Sequence, residues 1–226
     1  MKIVVINTSH RKSGATAKIL NEFSNQLKDK NAEVDVFNLS DLDIKFCTGC
    51  CSCYKTGRCF LDDDAEMLSQ AIANADAVVI GTPCYVGNVS GQLKTFIDRG
   101  HFVIEQLLKN KHTFGLVTYE NVGGGGAYKT LKFLFTLSGA KTLDKLIVKI
   151  EFGEDPIKDS KTKSKIKRKA DKLYNSLQRD KVSLIPKAIH FFAFNFGIKP
   201  FVAKKGEAYK GVLKHWEERG LIEKDV

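Results

Sequence analysis

Cysteines are concentrated in one short stretch of the chain. Five of the six cysteines lie within residues 47–59. Four of these five follow the spacing C-x2-C-x2-C-x5-C, namely Cys47, Cys50, Cys53 and Cys59. Three thiols at successive three-residue steps can surround one soft-metal centre, and a fourth can close it. Gly49 and Gly57 supply the backbone freedom that such a wrap needs. Cys51 does not fit the pattern, and we expect its thiol to point away from the same centre.

The spacing favours an iron–sulfur cluster over zinc. Ferredoxins hold their clusters with similarly tight runs of thiolates, whereas structural zinc sites usually draw four ligands from two pairs separated by a longer loop. Two metal-free alternatives stay open: reduced thiols in a surface loop, or a redox-sensing group that forms transient disulfides. Permanent disulfides are not expected, because the chain begins MKIVVIN without a secretory leader and is predicted to be cytoplasmic.

The bulk properties are those of an ordinary globular protein. The 226 residues suffice for one sizeable domain, 43% of them are hydrophobic and 27% are charged, and no apolar run is long enough to span a membrane. The net charge of +10 is uneven, because residues 151–226 have 18 basic and 11 acidic side chains. A solvated face is the simplest interpretation. The alternatives are an acidic partner or a phosphorylated cofactor, and nucleic acid or membrane binding is not expected.

Apolar runs alternate with segments of helical periodicity. A segment with helical periodicity follows each apolar run. Two of these segments predict helices from about Gln92 to Leu108 and through Lys158–Leu177. Such alternation predicts an α/β fold with a doubly wound, five-stranded parallel sheet and helices on both faces. The predicted strands are residues 2–7, 34–38, 77–82, 113–118 and 143–150.

Three polar loops follow the first, third and fourth predicted strands, at residues 8–16, 82–91 and 118–126. Ligands of doubly wound sheets bind at this edge, beyond the carboxyl ends of the strands. The first loop suits a phosphate, because it has several hydroxyls, a helix start with unpaired N–H groups and the cation Arg11. It has neither the dinucleotide fingerprint nor the Walker ending. Taken alone, it could equally be an ordinary helix cap.

Three segments resemble the flavodoxin-like NADPH-dependent FMN reductase family, and in particular its iron–sulfur flavoproteins. They are the loop at 8–16, the cysteine stretch followed by Asp62-Asp63, and the segment Thr82–Arg99. The resemblance covers residues 1–150 and implies a flavodoxin-like fold that binds FMN. For the FMN phosphate it implies Ser9, Arg11, Ser13, Ala15 and Thr16. Along the isoalloxazine ring it implies Pro83, Tyr85, Val86, Gly87 and Asn88. On the far side of the isoalloxazine ring it implies Thr118, Asn121, Gly123 and Gly124. Asp98 and Arg99 themselves are expected to be structural.

The resemblance also implies a function. We expect an FMN-dependent oxidoreductase that passes electrons through FMN and a [4Fe–4S] cluster on the four patterned cysteines, with no side chain acting as acid or base. The donor would be a ferredoxin-like protein or NAD(P)H, and the protein would assemble as a homodimer or homotetramer. One alternative is a cluster-free NAD(P)H-dependent FMN or quinone reductase. Another is a flavodoxin-like binding or regulatory protein that uses its basic C-terminal third.

The resemblance fades after residue 150, and we predict two units, a flavodoxin-like domain at 1–180 and a C-terminal helical extension at 181–226. Residues 184–202 contain five phenylalanines among lysines and prolines, too interrupted for a membrane span. We expect this segment to pack on the body or on a second subunit, although it could be a partner or membrane surface. His190 and His215 are expected to be packing residues rather than ligands.

Overall fold

The computed structural model describes residues 1–179 and 184–223. Its centre is one sheet of five parallel strands in the order β2-β1-β3-β4-β5. The strands are β1 (Lys2–Asn7), β2 (Glu33–Asn38), β3 (Ala77–Pro83), β4 (His112–Tyr119) and β5 (Lys141–Lys149). This order is that of flavodoxin-like sheets and confirms the predicted fold class. The chain reverses direction across the sheet between β1 and β3, and ligands of such sheets bind beside that point.

Nine α-helices lie in the described ranges. They are α1 (Ala15–Lys28), α2 (Ser52–Thr56), α3 (Ala65–Ala73), α4 (Gly91–Arg99), α5 (Gly124–Leu137), α6 (Ser160–Arg179), α7 (Leu184–Ala193), α8 (Lys199–Lys205) and α9 (Lys210–Glu218). Helices α1 and α6 cover one face of the sheet, and α3, α4 and α5 cover the other. The central strand β3 is buried along its whole length, because apolar side chains on both of its faces meet helices. None of the described helices is both long and apolar enough to cross a membrane.

The helix predicted at 92–108 is wrong in its second half. Helix α4 ends at Arg99, and the chain then runs through turns in which His101, Gln106 and Asn110 have positive φ angles. Gly100 follows the last helical residue and lowers the helix propensity there. The buried Gln106 amide donates to the carbonyl oxygen of Leu137 at 2.9 Å and to that of Val103. These bonds give the turns an alternative to helical hydrogen bonding.

The fifth strand begins two residues earlier than predicted. Lys141 and Thr142 pair with His112 and Thr113 of β4, and the register then shifts at a bulge between Thr113 and Phe114. The charged and polar start of β5 hides this pairing from hydrophobic periodicity. The sheet therefore extends further toward its amino edge than the apolar run indicates.

The C-terminal extension packs against the body through a small core of its own. A π-helical segment, Phe194–Ile198, joins α7 to α8, and the buried residues of this core are Phe194, Val202, Val212 and Trp216. The Trp216 indole Nε1 donates to the carbonyl oxygen of Ile104 at 2.8 Å. His190 Nε2 lies 2.6 Å from Gln106 Oε1. The predicted boundary between residues 180 and 181 lies outside the described residues.

Only one of the five phenylalanines in the extension is buried, and its ring packs on Trp216 within the extension's own core. Phe194 is 5% exposed. The other four are largely exposed on the single chain, namely Phe191, Phe192, Phe196 and Phe201. Their packing on a second subunit stays a prediction.

Candidate functional site

A cleft of about 870 Å³ lies at the carboxyl edge of the sheet. It is bounded by the loops that follow β1, β3, β4 and β5, so it occupies the place where ligands of such folds bind. Ten of the fourteen residues implied for FMN lie on its wall, namely Arg11, Ser13, Ala15, Pro83, Tyr85, Val86, Gly87, Thr118, Asn121 and Gly123. The volume is in the range of small-molecule and cofactor sites.

One end of the cleft is suited to an anion. Helix α1 begins there, with Gly14 as the N-cap, no side-chain acceptor for its first N–H groups and no acid in its first turn. A Cβ at Gly14 would lie 3.1 Å from Arg11 Cβ and 3.2 Å from Arg11 O, so glycine allows the loop to fold back closely. The free helix N–H groups, the hydroxyl of Ser13 and the guanidinium of Arg11 together form a cradle for negative charge.

The other wall is made by two loops that meet backbone to backbone. Tyr85 and Asn88 exchange two backbone hydrogen bonds, each 2.9 Å long, and form a tight turn after β3. A Cβ at Gly126 would lie 2.3 Å from Gly87 O, and one at Gly123 would lie 2.7 Å from Gly87 Cα. Only glycine permits this contact. Val86 is fully exposed and Tyr85 half exposed beside the cleft, which provides apolar surface for a planar ring.

The remaining four implied residues lie behind the cleft wall. Ser9 is buried, and its Oγ accepts from Arg11 N at 3.2 Å. Thr16 is buried, and its Oγ1 lies 2.7 Å from Thr118 Oγ1. Asn88 Oδ1 accepts from Val89 N and from a threonine hydroxyl of α5. A Cβ at Gly124 would lie 2.6 Å from Tyr119 Cδ1. These residues shape the loops that carry the wall.

Sequence reasoning missed the loop after β5, which closes another side of the cleft. Residues 150–154 line it, and Phe152 is 79% exposed there. The Arg11 guanidinium lies 5.7 Å from the centre of the Phe152 ring, and Phe152 N donates to Glu120 Oε1 at 2.9 Å. Only the topology could have predicted this loop at the cleft, because β5 ends at the same edge of the sheet as the other parallel strands. No pattern of chemistry-bearing residues marks this loop.

The cysteine stretch forms a loop that is closed at its base. Asp43 N donates to Asp64 Oδ2 at 2.8 Å, and Asp64 N donates to Asp43 O at 2.9 Å. Lys45 N donates to Asp63 Oδ2 at 2.9 Å. Burial raises the pKa of Asp63, but hydrogen bonds from Arg99 and from the backbone hold this pKa below its ordinary value. Both ends of the loop are therefore fixed by a charged carboxylate and by backbone pairing.

The C-terminal extension covers the opposite side of this loop. The Tyr54 ring stacks on the Tyr209 ring with centroids 4.7 Å apart. A Cβ at Gly211 would lie 2.2 Å from Gly57 N, so α9 touches the backbone of the loop directly. His215 Nδ1 lies 2.8 Å from Glu105 Oε2, an interaction that raises the pKa of His215. The extension thus buttresses the cysteine loop.

The four patterned cysteines share this loop but differ in exposure. Cys47 and Cys50 are exposed, Cys59 is partly exposed and Cys53 is buried. Burial raises the pKa of Cys53 to about 12, and the charges of Cys59, Glu105 and Cys50 contribute in the same direction. Within residues 1–179 and 184–223, no three Cys, His, Asp or Glu side chains are gathered as ligands of one metal ion.

The donor set nevertheless fits an iron–sulfur cluster. Cys51, Gly49 and Gly57 all have positive φ angles, so the backbone curls repeatedly between the patterned cysteines. Thiolates are the ligands that such clusters take. The Sγ of the fifth cysteine, Cys51, contacts Gly49 O at 3.5 Å.

Comparison with known proteins identifies the family. Residues 1–155 match the family described as NADPH-dependent FMN reductase. The chain belongs to the NADPH-dependent FMN reductase family. It is accordingly a flavin-dependent oxidoreductase, with FMN as its flavin. Over 226 residues it is 34% identical to an iron–sulfur flavoprotein of Clostridioides difficile (strain 630), an alignment that covers 98% of this chain and 100% of that protein.

A second relative and two solved structures are also similar to this chain. An iron–sulfur flavoprotein of Archaeoglobus fulgidus is 29% identical over 232 residues, with 98% of this chain and 100% of that protein covered. Among solved structures, an NADH:FMN oxidoreductase in its apo form aligns with a TM-score of 0.61 and 20% identity, over 77% of this chain and 89% of that one. A flavodoxin from the domain Archaea aligns with a TM-score of 0.55 and 15% identity, over 79% and 99%. These two structures are similar in fold.

Proposed function

We propose that this FMN reductase family member is a two-centre electron carrier, with FMN in the cleft and a [4Fe–4S] cluster on Cys47, Cys50, Cys53 and Cys59. The observation that carries the proposal is the cysteine loop, whose candidate metal ligands are all thiols and whose base is fixed by hydrogen bonds. The same chain also has a cleft of the size and position that suit FMN. Near full-length similarity to proteins named iron–sulfur flavoproteins supports the second centre.

The α1 end of the cleft is proposed to hold the FMN phosphate. Arg11 and Ser13 would donate to its oxygens, together with the N–H groups that follow the side-chain-free cap Gly14. Ser9 and Thr16 would keep the loop in shape through their buried hydrogen bonds. A dianion at a helix start is stabilised by the helix dipole as well as by direct donors.

The backbone-packed loops are proposed to hold the isoalloxazine ring. The turn at residues 85–88 would lie along one side and the loop at residues 118–124 along the other. Phe152 adds apolar surface to this wall and is not among the residues that the family resemblance implies for FMN. FMN, when bound, accepts two electrons and can release them singly. The protein's task is therefore to position the ring, exclude water and present backbone donors.

The electron donor is proposed to be a ferredoxin-like protein or NAD(P)H. The positive charge of the chain supports an acidic protein donor, whose association rate would fall steeply with salt, whereas turnover with NAD(P)H would be less sensitive. A comparison of turnover at low and high salt with each donor distinguishes the two. The expected homodimer or homotetramer is testable by light scattering.

The test of the proposed function is the metal and flavin content of protein purified without oxygen. We expect one FMN and about four irons per chain. Replacement of Cys59 by serine should remove most of the iron and leave the FMN in place. The matched control is Cys51→Ser, which removes a thiol of the same loop outside the pattern and should retain the iron.

Three results would contradict this proposal in different ways. FMN without iron in the wild-type protein would favour a cluster-free NAD(P)H-dependent FMN or quinone reductase. A protein that takes up neither iron nor FMN would contradict the two-centre function altogether. Equal loss of iron in both serine variants would indicate that the ligand assignment is wrong.

A further inference from the structure

Arg99 lies at the base of the cysteine loop and contacts both of its ends. Its side chain and that of Asp63 are each 1% exposed. Nη1 donates to Asp63 Oδ2 at 2.5 Å, and Nη2 donates to Asp63 Oδ1 at 3.0 Å. Nη1 also donates to Lys45 O at 2.7 Å. The guanidinium therefore joins the residues that precede Cys47 and follow Cys59, and its orientation is fixed by three hydrogen bonds.

This pairing does not satisfy the whole guanidinium. Arg99 Nε is buried and has no hydrogen-bond partner among the described residues. Buried donors are nearly always paired, so the unpaired Nε–H is a candidate donor to a group that binds beside it. The ion pair with Asp63 uses the two Nη groups, so the Nε–H stays available for a further acceptor.

Among the four patterned cysteines, Cys59 is the one that lines the same cavity as Arg99. Both residues line a cavity of about 380 Å³ between the cysteine loop and α9. Burial alone lowers the pKa of Arg99, but hydrogen bonds and charge from Asp63 raise this pKa above its ordinary value. Arginine stays protonated under all relevant conditions, so the donor is always available.

We propose that Arg99 is a positioning residue that donates a hydrogen bond to the Cys59 sulfur when that sulfur is a cluster ligand, and that it thereby raises the reduction potential of the cluster. The inference rests on the proposed function. Hydrogen bonds to ligand sulfurs withdraw negative charge and favour the reduced, more negative state. Because Asp63 offsets the charge of Arg99 at short range, the effect depends on the direct hydrogen bond.

The first test detects this hydrogen bond in the wild-type holoprotein. Protein labelled with ¹⁵N in its arginine guanidinium groups is loaded with iron and sulfide, reduced by one electron with dithionite, and studied by pulsed electron paramagnetic resonance. We expect a ¹⁵N coupling to the cluster spin that Arg99→Lys removes. The controls are Arg58→Lys and Arg219→Lys, which change the other arginines of the same cavity and should keep the coupling.

The second test measures the potential. Arg99→Gln and Arg58→Gln remove the same charge, but Arg58 is exposed although it adjoins Cys59 in the chain. We expect Arg99→Gln to shift the one-electron reduction equilibrium about tenfold toward the oxidised form, which corresponds to about 59 mV. Arg58→Gln should shift it less than about threefold, because water screens an exposed charge. The FMN potential in the same molecules serves as the internal reference.

The outcomes separate the two proposals. A wild-type protein that cannot be loaded with iron overturns the two-centre function and this inference together. A loaded wild-type protein without a ¹⁵N coupling overturns the inference alone, and so does a coupling that survives in Arg99→Lys. The Arg99 variants could fail to take up iron. In that case, a ¹⁵N coupling that is present in wild type and persists in both control variants still supports Arg99 as the donor. Loss of the coupling in either control variant would assign the coupling to the arginine replaced there.

Discussion

The cleft proposed to bind FMN and the cysteine loop both follow strands of one sheet, but they are held together in different ways. The cleft wall is a contact of backbone against backbone, with Gly87 against Gly123 and Gly126. The cysteine loop is held by a buried ion pair at its base and by α9 on its outer side, while Cys47 and Cys50 remain exposed.

This difference teaches how each site depends on its ligand. The cleft is formed by the fold itself, so its shape does not require the flavin. The cysteine loop has its ends fixed and its cysteines outside any disulfide, and a bound metal centre would hold its thiols together. We therefore expect substitutions in one region to leave the other functional, and the following predictions test that independence.

The largest effect is expected from Asp63→Ala. The substitution leaves the Arg99 guanidinium buried without its carboxylate, and such a change typically costs about 3–5 kcal/mol of unfolding free energy. Iron content should fall, while FMN affinity should stay within about threefold of wild type. Urea unfolding and flavin fluorescence titration measure these two quantities. Asp62→Ala is the matched control, because Asp62 is an exposed neighbour of the same residue type. An equal cost in both variants would contradict the importance of the buried pair.

The converse effect is expected from Gly126→Ala. The new Cβ would lie 2.3 Å from Gly87 O, a backbone atom that can move only if the turn after β3 moves. A clash of this kind costs about 1–3 kcal/mol, which would weaken FMN binding by about 5- to 150-fold. Iron content should not change. Gly125→Ala is the control, since its Cβ would meet no atom within 4 Å. Unchanged FMN affinity in Gly126→Ala would argue against this wall as the ring site.

A smaller and more local effect is expected where α9 supports the cysteine loop. In Gly211→Ala the new Cβ would lie 2.2 Å from Gly57 N, so α9 must shift outward by a small distance. We expect a loss of about 1 kcal/mol in unfolding free energy and faster loss of iron to a chelator, with FMN affinity unchanged. Gly197→Ala, in the π-helical segment, has open space for its Cβ and is the control. Identical chelation rates in the two variants would show that the extension does not support the loop.

Features that depend on local sequence patterns could be predicted, whereas features that depend on contacts between distant residues could not. Strands β1 and β3 were predictable, because a strand covered on both faces is a continuous apolar run. The polar loops at their ends follow from the parallel topology. The turns after Arg99 were not predictable, since they depend on the amide of Gln106 reaching the carbonyl oxygen of Leu137, which is distant in sequence. The contribution of Phe152 to the cleft was hidden for a similar reason, as it has no local pattern.

The cysteine loop was conspicuous in the sequence, but its supports were not. Spacing identifies thiols that can share a centre, yet it contains no information on the contact of Gly57 with Gly211 across most of the chain. Arg99 was expected to be structural, and its bidentate pair with Asp63 fits that expectation in part. Only three-dimensional packing reveals that Nε is buried and unpaired.

The smallest effect is expected at Asp98, the neighbour of Arg99 in the chain. Asp98 pairs with Lys94 one helical turn away, and the two side chains are 44% and 61% exposed. Exposed pairs at this spacing contribute about 0.3–0.5 kcal/mol, so Asp98→Asn should change unfolding free energy by no more than that and should alter neither iron nor FMN content. High salt should abolish even this difference. A loss above about 1 kcal/mol would show that the acidic end of α4 supports the cysteine loop, and that the loop base extends beyond the Asp63–Arg99 pair.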